Sequence, residues 1–298
     1  MMRVLLFGAS GFIGAHVRRE LNATADLVCP SRDECDLVAA TPEALRALLG
    51  TLRPDAVVSC AGAVSGSAED LIRANTLTTA KLVDAVADTV PGARLVRLGS
   101  AAEYGPVPSG APAAEDRPVT PVSAYGVSQA AATRLMELAA AAGRVDAVAL
   151  RVFNPVGPGM PRTTLLGRVA ALLSHLTAGE DLRTGPLDAY RDFVDVRDVA
   201  AAVRRAVTVT APRARVLNVG SGRAVPVRDA VQLLVSVSGR SVRIREDRPP
   251  SPRSGDVSWT CADVGRAASV LGWAPEHDLS DSVGALWSQT ALAATPAR

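Results

Sequence analysis

Gly8-Ala9-Ser10-Gly11-Phe12-Ile13-Gly14 stands between the apolar run Arg3 to Phe7 (RVLLF) and a segment, residues 12–22, whose Phe12, Ile13, Val17 and Leu21 recur at helical spacing. An apolar run without polar alternation is the pattern of a strand buried on both faces, as in a parallel sheet. Glycines between such a strand and a helix permit a tight turn. They also let backbone N–H groups approach a pyrophosphate at the positive helix end. The placement carries the argument, since a glycine pattern with no strand before it and no helix after it means little. The opening Met1-Met2-Arg3 and its apolar run are therefore read as a first strand and not as a leader.

Working outward, the same rhythm continues. Asp26 to Cys29 reads as a second strand. Thr41-Pro42-Glu43 opens a helix, with Thr41 as N-cap and Pro42 at the first helical position, ending near Gly50. Strands follow at Ala56 to Ser59, Arg94 to Leu98 and Ala147 to Phe153, separated by helices over 68–90 and Ala124 to Ala142. This alternation predicts an α/β chain with a doubly wound parallel sheet covered by helices on both faces.

After Phe153 the rhythm breaks at the turn cluster Asn154 to Gly159. Helices near 163–178, over 197–209 and from Val227 to Ser238, a strand at Val216 to Val219, an edge strand at 242–246 and a short helix from Asp263 to Leu271 suggest a smaller α+β region. The expected division is 1–155 with 187–222 for the nucleotide-binding half, and 156–186 with 223–298 for the substrate half.

The 298 residues are 48% apolar and 21% charged, enough to bury a sizeable core. A net charge of +2, from 32 basic and 30 acidic residues, argues against nucleic acid or an acidic membrane as the main partner. No uncharged apolar stretch is of the ~18 residues a span requires. Cys29, Cys35, Cys60 and Cys261 form no C-x-x-C pair, and His16, His175 and His277 lack ligand spacing, so neither a disulfide framework nor a metal is expected. The cysteines fit a reducing, cytoplasmic compartment. Of the 32 basic residues only Lys81 is lysine, so any chemistry that needs a lysine has one candidate.

The spacing G-x-x-G-x-x-G resembles the short-chain dehydrogenase/reductase superfamily, in its extended branch of nucleotide-sugar epimerases, dehydratases and reductases. The resemblance runs from residue 3 to about 290. It implies that Gly8, Ser10, Gly11, Phe12, Ile13 and Gly14 cradle the cofactor. Asp36 and Leu37 match the pair that contacts adenine, Cys60-Ala61-Gly62 the small residues that let the cofactor lie close to the backbone, and Asn75 the helix asparagine that braces the sheet. At the end of the second strand, an acid would bind a free ribose 2′-hydroxyl and an arginine a 2′-phosphate. Ser31 and Arg32 favour NADP(H) over NAD(H), with Asp33 the counter-candidate one position later.

Ser100 in Gly99-Ser100-Ala101-Ala102-Glu103-Tyr104-Gly105 matches the family's strand-end serine, and Tyr125 its proton-transferring tyrosine, 25 positions on. The resemblance implies that Ser100 and Ala101 meet the substrate, Ser100 through a hydrogen bond to its reacting oxygen. Where the family carries Tyr-x-x-x-Lys, this chain has Gln129. A lysine there holds the nicotinamide ribose and favours the tyrosinate by its charge. A glutamine can bond the ribose but has no charge. Three alternatives stay open: altered acid/base chemistry at Tyr125, a cofactor-binding fold with a non-redox step or none, or another cation, with Lys81 and Arg134 as candidates.

Arg151-Val152-Phe153-Asn154-Pro155-Val156-Gly157-Pro158 resembles the family's Arg-x-x-Asn-x-x-Gly-Pro segment, which puts Phe153 and Pro155 near the nicotinamide and Asn154 near substrate. Arg191 and Arg253 match arginines that grip a nucleotide diphosphate. The expected function is an NAD(P)H-dependent ketoreductase for a nucleotide-linked keto sugar or a natural-product ketone. The alternatives are a nucleotide-sugar epimerase or dehydratase, or a silent cofactor-binding scaffold. The partner is a small molecule, and the family's habit of pairing through the helix that carries Tyr125 suggests a homodimer.

Overall fold

A computed structural model describes residues 1–210, 215–249 and 257–294. In chain order the elements are β1 (Arg3–Phe7), α1 (Phe12–Asn22), β2 (Asp26–Val28), α2 (Pro42–Leu52), β3 (Ala56–Ser59), α3 (Ala68–Leu71), a π-helical segment (Ile72–Leu77), α4 (Thr78–Thr89), β4 (Arg94–Ser100), a 3-10 turn (Ala101–Glu103), α5 (Ala124–Ala141) and β5 (Asp146–Val152). There follow β6 (Asn154–Val156), α6 (Leu165–Leu173), β7 (Asp181–Thr184), β8 (Tyr190–Asp195), α7 (Val196–Thr208), β9 (Val216–Val219), β10 (Ala224–Pro226), α8 (Val227–Ser238), β11 (Arg243–Glu246), α9 (Gly265–Leu271) and α10 (Leu279–Ala294).

The main sheet is parallel, with strand order β2-β1-β3-β4-β5-β9. The chain moves outward from β1 to β2 and then returns to the other side of β1 at β3. Such a reversal opens a crevice at the carboxyl ends of the strands, where open α/β sheets bind ligands. Side chains alternate between the two faces. Val4, Leu6, Val58, Val96 and Leu150 pack under α1, α7 and α9, whereas Leu5, Phe7, Val57, Leu95 and Ala149 pack under α2, α4 and α5. The expected alternation of strand and helix is therefore borne out, with β2 one residue shorter and α2 two residues longer than anticipated.

The helical stretch after β3 departs from a plain α-helix. Six residues around Asn75 take the wider π geometry, which frequently marks functional sites. The carboxyl-terminal half holds a three-stranded sheet, β10-β8-β6, and a two-stranded one, β11-β7, with a core between α6, α8 and α10. The expected edge strand at 242–246 is β11, paired parallel to β7. Among the described residues no helix is long and apolar enough to cross a membrane.

Candidate active site

The glycine loop is closed by contact. Gly8 takes φ +78°, and a Cβ there would lie 2.7 Å from Cys60 and Ala61 backbone atoms. A Cβ on Gly14 would lie 1.9 Å from the Gly8 carbonyl oxygen. Loop and β3 end are thus pressed together at the crevice, which only residues lacking a side chain allow. Helix α1 starts at Gly11 with no side-chain cap and no acid in its first turn. Thr41, Ser67, Ser123, Thr164 and Asp195 cap α2, α3, α5, α6 and α7 by their side chains. The first N–H groups of α1 are the ones a helix leaves unsatisfied and an anion can take. The residues present thus fit a dinucleotide. His16 of α1 joins its ring to the Pro158 carbonyl at 2.9 Å, tying this loop to the Asn154–Gly159 turn.

At the end of β2, Ser31 and Glu34 lock a turn: the Ser31 N–H donates to the Glu34 carboxylate at 2.7 Å, and the Glu34 N–H to Ser31 Oγ. Arg32 and Asp33 project from that turn, exposed. Asp36 accepts from the Val38 N–H and Leu37 is buried beside it. Asn75 braces the sheet end as expected: it accepts from the Ala63 N–H and donates to the Ala63 carbonyl and to Ser128 Oγ. Its Oδ1 lies so close to Gly62 that a Cβ there would meet it at 2.7 Å.

Ser100 ends β4, where its Oγ accepts from the Ala102 N–H and caps the 3-10 turn. An accepting bond leaves the hydroxyl's own hydrogen to be donated elsewhere. The first turn of α5 sits on that same turn: a Cβ on Gly126 would lie 2.5 Å from the Ala102 carbonyl oxygen. The helix that begins at Ala124 therefore brings half-buried Tyr125 up to the Ser100 end of β4. Ser128 Oγ donates to the Tyr125 carbonyl at 2.8 Å, and Thr76 to the Ser128 carbonyl at 2.9 Å, fixing the helix start to the π segment. Tyr104, the other tyrosine of this stretch, is sealed in. It donates to Asn218 Oδ1 at 2.7 Å, and burial pushes its pKa up to about 12.

Gln129 is buried one helical turn after Tyr125. Its Oε1 accepts from Arg97 Nη2 at 2.5 Å. Arg97 was not anticipated. It lies mid-strand in β4, 3% exposed, on the face covered by α5, and Nη1 is buried with no hydrogen-bond partner among the described residues. Burial pulls its pKa down from the ordinary guanidinium value, while Glu103 and Tyr125 nearby pull it up. The signal in the sequence was an arginine between Leu95-Val96 and Leu98, in a strand that must be buried on both faces. Glu103, wholly buried, accepts from the Ser100 N–H, Thr133 Oγ1 and Arg151 Nε at 2.9, 3.0 and 2.8 Å.

The two candidate cations of the third alternative, Lys81 and Arg134, make their contacts elsewhere. Lys81 Nζ donates to the carbonyls of Leu37, Val38 and Ala40, holding the loop after Asp36. Arg134 is exposed on α5 and pairs with Glu137 at 3.5 Å.

On the substrate side, Phe153 is buried, Pro155 lies on β6, and Ala101 is half-buried in the turn after Ser100. Asn154 Nδ2 donates to the Asp192 carbonyl, which leaves its Oδ1. Among the described residues the Arg191 guanidinium donates to the carbonyls of Tyr190 and Val257 at 2.8 and 2.7 Å, and burial lowers its pKa. It carries a charge that no carboxylate in these bonds answers. Arg253 lies outside the described residues.

Residues 4–220 match the model of the NAD dependent epimerase/dehydratase family. The chain belongs to that family. It is 38% identical to the dTDP-6-deoxy-L-talose 4-dehydrogenase (NAD(P)(+)) of Kitasatospora kifunensis, covering 98% of this chain and 96% of that one. Identity to the GDP-6-deoxy-D-mannose reductase of Pseudomonas aeruginosa is 29%, over 96% of each. The structure of RMD from Pseudomonas aeruginosa complexed with NADPH superposes with a TM-score of 0.85 at 25% identity, over 98% of both chains. MoeE5 in complex with UDP-glucuronic acid and NAD does so at 0.85 and 28%, over 98% of this chain and 99% of that one. The protein is an NAD(P)-dependent epimerase/dehydratase-family enzyme of the extended short-chain type, and the silent-scaffold alternative falls away.

Proposed function

We propose that this family member is an oxidoreductase that interconverts the 4-hydroxyl and 4-keto forms of a nucleotide-linked 6-deoxyhexose. One observation carries it: the start of α5 packs against the turn after Ser100, which supports an alcohol donor and a phenol acting at the same strand end. Full-length likeness to a 4-dehydrogenase and a reductase of such sugars supports the substrate class.

When bound, the nicotinamide exchanges a hydride with the sugar carbon. In the reducing direction Tyr125 gives its phenolic proton to the sugar oxygen, and in the oxidising direction its phenolate accepts that proton. Ser100 donates to the same oxygen and orients it. Because arginine has no acceptor, Gln129 must turn Oε1 toward Arg97, which leaves its NH₂ to donate to a ribose hydroxyl. The loop Gly8 to Gly14 holds the pyrophosphate, Asp36, Leu37, Cys60, Ala61, Gly62 and Asn75 line the adenosine and ribose path, and Phe153 and Pro155 wall the nicotinamide. Asn154, Arg191 and Arg253 take the sugar nucleotide. Residues 1–155 with 187–222 serve the cofactor, and 156–186 with 223–298 the substrate. The active species is a homodimer joined through α5.

Tyr125→Phe is expected to lower turnover of a dTDP-linked 4-keto-6-deoxyhexose by about 10²–10⁴ with the cofactor Kd unchanged. Full turnover in that variant would remove Tyr125 as the proton donor. Net loss of nicotinamide absorbance separates a reductase from an epimerase, which consumes none. Ser31 and exposed Arg32 favour NADPH. Arg32→Ala should weaken NADPH about tenfold while leaving NADH nearly untouched, the loss expected for one charge-assisted contact. Equal effects on both would remove Arg32 as the reader of the 2′-phosphate.

A further inference from the structure

The proposed function gives Tyr125 a proton to move and leaves open what charge helps it. We infer that Arg97, held by Gln129, is the cation that favours the phenolate of Tyr125, so that a strand residue does from below what a helix lysine does elsewhere in the family.

The geometry carries this in four steps. Arg97 shares a sheet face with Leu95 and Gly99, the face under α5, so its side chain rises toward the first turns of that helix. Its Nη2 is anchored on Gln129, one turn after Tyr125. Its Nη1 has no partner among the described residues although it is fully buried, and a buried donor without an acceptor needs an explanation. Finally, Tyr125 lies within Coulombic reach of the guanidinium. The anchor is a neutral amide, and of the two groups whose charge reaches the guanidinium, Glu103 is already ion-paired with Arg151 and the other is Tyr125.

Every titratable group around the pair agrees with that assignment. Glu103, in the turn after β4, is ion-paired with Arg151 on β5 at 2.8 Å. Tyr104 stays a phenol, its pKa pushed to about 12 by burial. Cys60, at the end of β3, stays a thiol for the same reason, also near 12. Asn75, Ser128 and Thr133 are neutral. Glu103 thus answers Arg151, and Glu115, buried beyond Tyr104, pairs with Arg266 at 3.3 Å, so a phenolate at Tyr125 is the charge that balances Arg97.

The test reads tyrosine ionisation in the cofactor-free protein by near-ultraviolet absorbance. The chain has three tyrosines, and subtracting the Tyr125→Phe curve isolates one transition. Arg97→Met is expected to move that transition about one to two pH units upward, the size of an opposite charge removed from a close neighbour. The rise of kcat/KM with pH in the sugar-oxidising direction should move with it, so that activity at neutral pH falls about 10- to 100-fold. Arg97→Met combined with Gln129→Lys should bring both back toward the parent, whereas Gln129→Lys alone sets two buried cations together and should lower activity.

If Arg97→Met unfolds, Gln129→Glu keeps Arg97 in place but neutralises it and must shift the transition upward too. An unmoved transition, or a double variant no better than Arg97→Met, overturns the inference. That result would leave the proposed function standing, because the latter falls only if Tyr125→Phe keeps its turnover.

Discussion

Arg97 and Arg151 occupy adjacent strands, β4 and β5, on the same face of one sheet, and are 3% and 4% exposed. Their surroundings differ. Arg151 is answered on every side: Glu103 accepts from Nε, Tyr104 Oη and the Glu115 carbonyl accept from Nη1, and the Tyr104 ring lies 4.7 Å beneath the guanidinium carbon. That network continues through Asn218, whose N–H donates to the Glu115 carboxylate. Among the described residues Arg97 has one neutral acceptor and a bare Nη1. A fully satisfied buried network fixes a structure, whereas an under-satisfied charge is a cost that structure alone does not explain. One arginine holds the strand ends in place, and the other is kept available to Tyr125.

The largest test of the contrast is stability. Arg151→Met leaves the Glu103 carboxylate buried without its cation and is expected to cost about 3–5 kcal/mol in urea unfolding. Arg97→Met strips a hydrogen bond from Gln129 but also removes a desolvated charge, so its cost should stay near ~1 kcal/mol. Equal losses in the two variants would break the distinction between a structural and a functional arginine.

Next in size is a substitution that makes one region imitate the other. Gln129→Glu gives Arg97 a carboxylate like the one Arg151 has. Desolvation and Coulomb attraction roughly offset in such a buried pair, so stability should change little. Turnover at neutral pH should nevertheless fall about 10- to 100-fold, because the charge once directed at Tyr125 is neutralised. Unchanged turnover would mean that Arg97 acts on nothing beyond Gln129.

The same contrast explains what could be read from the chain. Gly8, Gly11 and Gly14, the Thr41 cap and the strand runs were legible because they follow local rules: turn geometry, capping and periodicity. Ser100 and Tyr125 came from the family resemblance, which implies a serine at a strand end and a tyrosine at a helix start, and β4 and α5 have those ends. Arg97 was not, since its meaning depends on which face of β4 lies under α5 and on a helix residue 32 positions away. Lys81 drew attention as the sole lysine, yet it serves the carbonyls of the loop after Asp36. Strand β6, read as part of the turn cluster Asn154 to Gly159, strands β7, β8 and β10 and helix α10 escaped for a related reason. Their pairing and burial come from the small sheets and the α6–α8–α10 core, and no strong period marks them beforehand.

The smallest test asks whether the two regions can be separated at all. Glu103 accepts from Arg151 on one side and from the Ser100 N–H on the other, with Thr133 on α5 as its third donor. Thr133→Val keeps the shape and removes that third bond, at a cost of about 1 kcal/mol. Glu103 would still hold Ser100 through the backbone, so turnover per folded molecule should stay within about twofold of the parent, less than the tenfold that 1.4 kcal/mol at the transition state would give. A larger loss, with stability lowered as expected, would show that α5 positions Ser100 through Glu103. The structural network would then belong to the catalytic site, and the division between Arg151 and Arg97 would be one of degree.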